Sequence, residues 1–134
     1  MDSIGEILQR SRVIAVVGLS PGRPAYEVAQ YLQIHGYRVI PVNPALSEAL
    51  GEKAYPDLPH VPFPIDIVIV FRNPRYVPGL IDQAIQIKAN AVWLQPGAVN
   101  PEAVARARSA GLETIAGLCI RTEHMLRASE TESQ

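Results

Sequence analysis

The sequence predicts one α/β domain, a five-stranded parallel sheet covered by helices on both faces. Three observations predict it. Short runs that are almost wholly apolar recur along the 134 residues. Segments with apolar residues three and four apart lie between them, and Gly or Asn-Pro signals mark the junctions. Strands without a polar face must be covered on both sides, which is the condition of a parallel sheet joined by helical crossovers.

The elements follow in order. Asp2 or Ser3 can cap a short first helix, with Ser3 and Glu6 at capping-box spacing. Residues 13–17 (VIAVV) form the first strand, and Gly18 opens a loop that ends at Pro24. Ala25, Val28, Ala29 and Leu32 then share a helix face, with Pro24 suited to its first position and Gly36 to its stop. Residues 37–42 make a second strand that ends at Asn43-Pro44, although Pro41 is unusual inside a ladder. The proline-rich stretch 45–64 reads as irregular, with at most one helical turn near residues 47–50.

Residues 65–71 contain the least polar strand, IVIV. Asn73-Pro74 opens a helix carrying Val77, Leu80, Ile81 and Ala84, which Asn90 should end. Residues 91–94 form a fourth strand, Asn100-Pro101 starts a helix that stops at Gly111, and residues 113–116 form a fifth strand. A short amphipathic helix is expected over 121–127. Five such strands joined by right-handed crossovers define a Rossmann-like three-layer domain with expected strand order 3-2-1-4-5. The domain should span residues 1–128, leaving 129–134 as an unstructured tail.

Composition narrows the function classes. Hydrophobic residues at 48% and charged residues at 19% describe a folded domain. With 12 Lys+Arg against 13 Asp+Glu the net charge is −1, so nothing draws the chain to nucleic acid or to an anionic membrane, and an anionic ligand must be held by a few placed cations. No apolar run approaches membrane-spanning length and the first residues do not resemble a leader, so a cytoplasmic location is expected. One cysteine, Cys119, excludes an internal disulfide, and the three histidines have no metal-ligand spacing.

Ligands of such sheets bind beyond the carboxyl ends of the strands. The loop from Gly18 through Leu19 and Ser20 to Arg23 meets a helix N-terminus, whose free N–H groups suit a phosphate, although G-x-G-x-x-G spacing is absent. Asn43 stands where an NAD site would place an acidic residue. Arg72, emerging from the third strand, can grip a phosphate in a forked contact, whereas Arg75 is expected to be solvated outside the binding loop. Gln95 and Gly97 sit at the fourth strand tip, and Trp93 belongs to the core. Cys119 reads as a small inert hydrophobe with nothing in sequence to lower its pKa, so neither it nor His124 is assigned a catalytic role and catalysis is not expected.

These tips taken together, VIAVVGLS, RP at Arg23-Pro24, GYRVIPVNP, DIVIVFR and VWLQPG, resemble the stand-alone CoA-binding domain proteins, relatives of the N-terminal domain of the succinyl-CoA synthetase α subunit. The resemblance spans roughly residues 4–127. It implies coenzyme A, or an acyl-CoA, as ligand, with the diphosphate near residues 18–20 and the adenosine end against the second and third strand tips. The contacts it implies are Gly18, Leu19, Ser20, Asn43, Phe71, Arg72 and Gln95, to which the loop adds Arg23. It implies a binding or regulatory module and not a complete ligase, and leaves open a protein partner or a homo-oligomer. The alternative is a small NAD(P)-binding protein or oxidoreductase subunit; a third is an interaction domain with no ligand. Leu46 stands where the synthetase has lysine, Gly117 and Leu118 replace the family's Asp and Arg before Cys119, and the first loop is shorter than usual.

Overall fold

A computed structural model of the chain describes residues 2–19 and 22–132. Helix α1 (Ser3–Arg10) leads into β1 (Val13–Val17), followed by α2 (Pro24–Ile34) and β2 (Arg38–Val42). A small antiparallel pair, β3 (Glu48–Ala49) and β4 (Glu52–Lys53), precedes β5 (Ile67–Val70). Then come α3 (Val77–Gln86), β6 (Ala91–Leu94), α4 (Pro101–Ser109), β7 (Glu113–Ala116) and α5 (Ile120–Glu132). The five long strands pair in parallel throughout.

Alternation along the strands builds both cores. Ile14, Val16, Ile67, Ile69, Ala91 and Trp93 pack with α1, α2 and Ile120 of α5. Ala15, Val17, Val68, Val70, Val92 and Leu94 face α3 and α4 on the other side. The domain is therefore the expected three-layer, Rossmann-like α/β sandwich, with Trp93 fully buried as expected.

The strand order is β2-β1-β5-β6-β7. In terms of the five strands read from sequence this is 2-1-3-4-5, which corrects the expected 3-2-1-4-5. Pro41 explains it, because a proline has no N–H to give a ladder and belongs on an edge strand. Its carbonyl points outward and accepts from Tyr55 N at 3.0 Å, while Asn43 N donates to Tyr55 O at 2.9 Å, so the long connection covers that edge. The wholly apolar β5 instead lies between β1 and β6, paired on both edges. The reversal of order falls between β1 and β5, the position at which sheets of this kind bind ligands.

Three smaller expectations also change. Residues 47–50 form no helical turn; Leu50 (φ 54°) and Gly51 (φ 78°) make the two-residue turn of the β3–β4 hairpin. Lys88 (φ 57°), not Asn90, takes the left-handed backbone beyond α3. The last helix continues to Glu132, past the expected end at residue 127, so the expected tail is helical as far as Glu132, and residues 133–134 lie outside the described residues. At the start of α1 the Asp2 carboxylate makes no cap and takes two bonds of 2.8 Å from Arg127 of α5, tying the first helix to the last.

Candidate functional site

A cavity of about 730 Å³ opens at the carboxyl ends of the strands. The loops after β1, β2, β5, β6 and β7 all contribute to it.

Gly18 leaves β1 with φ 95° and donates its N–H to Val42 O at 3.2 Å. Its neighbour Leu19 turns a fully buried side chain into the core below, and Leu19 O accepts from Asn43 Nδ2 at 2.9 Å. Ser20 lies outside the described residues. Arg23 holds the N-cap position of α2 with extended backbone, and its side chain caps nothing. Pro24 brings no N–H and Tyr26 N donates to Arg23 O at 2.9 Å, so it is the positive end of the helix dipole with the remaining first-turn N–H groups that favours a bound anion at this edge of the cavity. Glu27, in the first turn, is the acidic residue of this wall.

Asn43 lines the cavity, but its amide works as a clasp: besides holding Leu19, its Oδ1 accepts from Ala45 N at 2.9 Å. Phe71 N donates to Val17 O at 2.9 Å, continuing the ladder past the strand end, and Phe71 and Arg72 line the crevice beside Gly18. The Arg72 guanidinium rests 4.5 Å from the centroid of the Tyr76 ring.

Gln95 is only 3% exposed, and both ends of its amide are used. Oε1 accepts from Ile120 N at 2.9 Å, and Nε2 donates to Cys119 Sγ at 3.4 Å. Trp93 Nε1 donates to Leu118 O at 2.7 Å, fixing the adjacent loop from below. Cys119 is therefore held at the N-terminus of α5, and it lines the cavity. Burial pushes its thiol up, but hydrogen bonds from the Thr122 backbone, the Gln95 amide, the Arg121 backbone and the Thr122 side chain outweigh that, and the pKa ends below its ordinary value. This corrects the expectation that nothing lowers it. Among the described residues no hydrogen bond joins Cys119 to His124, whose Nδ1 shares a 2.7 Å hydrogen bond with the Tyr31 hydroxyl.

Of the eight residues expected at the site, Gly18, Arg23, Asn43, Phe71, Arg72 and Gln95 line the one cavity. Leu19 supports it from the core. Arg121, Asn73 and Cys119 line it too, without having been assigned to it from sequence. Arg121 was legible only indirectly, as the second residue of a helix that starts at the fifth strand tip.

Among the described residues some arginines form ion pairs and others do not, Arg12, Arg75 and Arg108 being among the latter. Arg10, Arg38, Arg106 and Arg127 pair with Glu113, Glu52, Asp82 and with Asp2 and Glu123. Among the described residues, the three that line the cavity, Arg23, Arg72 and Arg121, enter no ion pair. No group of three His, Cys, Asp or Glu side chains is placed to hold a metal ion among the described residues. No described helix is long and apolar enough to cross a membrane.

A family model described as a CoA binding domain matches residues 12–125. The chain belongs to the CoA-binding domain family. The uncharacterized protein YneT of Bacillus subtilis (strain 168) is 46% identical over 123 residues, covering 90% of this chain and 91% of YneT. A protein of Pyrococcus horikoshii OT3 with a solved structure is 43% identical, with a TM-score of 0.88 over 91% of this chain and 87% of that one. The dinucleotide-forming acetyl-coenzyme A synthetase 1 of Ca. Korarchaeum cryptofilum, solved with phosphate and ADP, shares the fold at a TM-score of 0.70 and 26% identity. This CoA-binding domain covers 85% of its own length there but only 27% of the synthetase chain. Within the domain, Leu46 packs partly buried against the core. Gly117 takes φ 86° and Leu118 is 41% exposed, so the segment before Cys119 is a turn at the surface.

Proposed function

We propose that the chain binds coenzyme A, or an acyl-CoA, in the cavity at the carboxyl rim of the sheet, and acts there as a non-catalytic binding or regulatory module. The observation that carries this reading is the gathering of Arg23, Arg72 and Arg121, none of them in an ion pair among the described residues, around one cavity beside the start of α2. Unpaired cations gathered on a nearly neutral chain call for a polyanion. CoA brings a diphosphate and a 3′-phosphate monoester, and a monoester alone carries about −1.5 to −2 charges near pH 7. The volume of about 730 Å³ lies in the range of small-molecule sites. Family membership supports the same ligand.

The non-catalytic part of the reading rests on the lack of a base hydrogen-bonded to the Cys119 thiol among the described residues. Gln95 and the start of α5 hold Cys119, and Tyr31 holds His124. NAD has no acidic partner at the tip of β2, where Asn43 clasps the neighbouring loop. Titration calorimetry with CoA, dephospho-CoA, NAD and NADP tests the reading. CoA should bind tightest and dephospho-CoA more weakly; tighter binding of NAD than of CoA would favour the dinucleotide alternative and overturn it.

A further inference from the structure

Tyr76 is 43% exposed and belongs to neither hydrophobic core, so burial does not explain an aromatic residue here. Its ring carries two cations. The Arg72 guanidinium lies 4.5 Å from the ring centroid and that of Arg75 4.8 Å from it. Arg75 Nη2 also donates to the Tyr76 hydroxyl at 2.8 Å. Neither arginine meets a carboxylate among the described residues. Two like charges beside one small ring repel each other, and their attraction to the ring offsets part of that.

The backbone beneath them is pinned. Asn73 Oδ1 accepts from Arg75 N at 3.1 Å, and Tyr76 N donates to Asn73 O at 3.0 Å. From the other side Asn100, which caps α4 by accepting from Ala103 N, donates Nδ2 to Pro74 O at 3.0 Å. The backbone of the turn Pro74–Tyr76 is thereby fixed between β5 and α4.

We propose that Tyr76 is a positioning residue that holds Arg72 and Arg75 together as a paired receptor for a single phosphate monoester, the 3′-phosphate of CoA. This rests on the reading of the cavity as a CoA site. Arg72 lines the cavity whereas Arg75 does not, so the pair carries positive charge from the cavity edge outward. A monoester dianion, which keeps part of its hydration, fits an exposed pair of this kind. A diphosphate diester, with less charge per phosphate, suits the sheltered N–H groups at the start of α2. The role also changes the reading of Arg75, which sequence treated as a solvated bystander.

Calorimetric titration of CoA and dephospho-CoA into wild type, Tyr76→Ala, Tyr76→Phe and Arg75→Gln tests the assignment. Tyr76→Ala should weaken CoA about tenfold, the worth of a partly desolvated cation–ring contact. It should leave dephospho-CoA nearly unchanged. Tyr76→Phe keeps the ring and should keep most of the CoA affinity, while Arg75→Gln should weaken CoA severalfold and dephospho-CoA hardly at all. Unchanged CoA affinity in Tyr76→Ala, or equal loss for both ligands, overturns the role of Tyr76. A wild type that binds neither ligand overturns the CoA reading itself, and one that binds both equally overturns the 3′-phosphate assignment alone.

Discussion

The carbonyl oxygen of Phe71 stands 2.4 Å from the position a Cβ on residue 18 would occupy. The two loops at the switch point of the sheet touch backbone to backbone, and only glycine at 18 allows it. Gly18 also has φ 95°, so a side chain there meets both strain and collision. Gly97, with φ 89° and nothing within 4 Å of its notional Cβ, meets strain alone. Gly97→Ala should therefore cost about 1–2 kcal/mol of stability and Gly18→Ala distinctly more. Urea midpoints of the two variants compare the effects; equal costs would mean that the loops part easily.

Arg72→Ala should weaken CoA binding by about ten- to a hundredfold, the range expected when a charged hydrogen-bond partner is removed. Because the side chain is exposed and in no ion pair among the described residues, the thermal midpoint should stay near that of wild type. Calorimetry beside a melting curve checks both, and an unaltered affinity would remove Arg72 from the site.

His124 lies between α2 and α5, its ring edge-on to Tyr31, Tyr37 and His35. Burial, and then the nearby His35, hold its pKa below the ordinary value. The unfolded chain therefore takes up this proton more readily than the native one. Stability from this source is complete above an unfolded histidine pKa of ~6.5 and falls as pH drops below it toward the depressed native value. Urea midpoints at pH 7.5 and at pH 5.5 should differ more for wild type than for His124→Gln; identical pH dependence would show that this imidazole does not titrate against the fold.

Cys119 should alkylate faster near pH 7 than a cysteine of ordinary pKa, because more of it is thiolate. Gln95→Met removes one donor to the sulfur and should slow the reaction. Saturating CoA should also slow it, since the thiol lines the proposed binding cavity. Iodoacetamide rates followed by intact mass measure all three, and indifference to CoA would place the ligand away from Cys119.

The strands were legible because VIAVV, IVIV and AVWL have no face that water could cover. Their order was less so, since it turns on which ladder can spare the N–H of Pro41, and that depends on Tyr55 from a connection that sequence left irregular. Six of the eight proposed site residues came together because strand tips converge in any sheet of this kind. Arg121 and Tyr76 escaped notice for a shared reason: one sits inside a helix and the other in a tight turn, and what they do depends on neighbours contributed by other elements. Leu19 shows the converse, a residue in a legible loop whose side chain points down into the core.

The bond from Trp93 to Leu118 has a practical consequence. Trp93 is the single tryptophan of the chain, and its indole N–H ends on the carbonyl of the residue preceding Cys119. All tryptophan emission thus originates at one buried ring tethered to the cavity wall. A ligand that shifts this wall changes the indole's hydrogen bond and its local field, so the native protein carries a built-in optical gauge of occupancy, without dye or label.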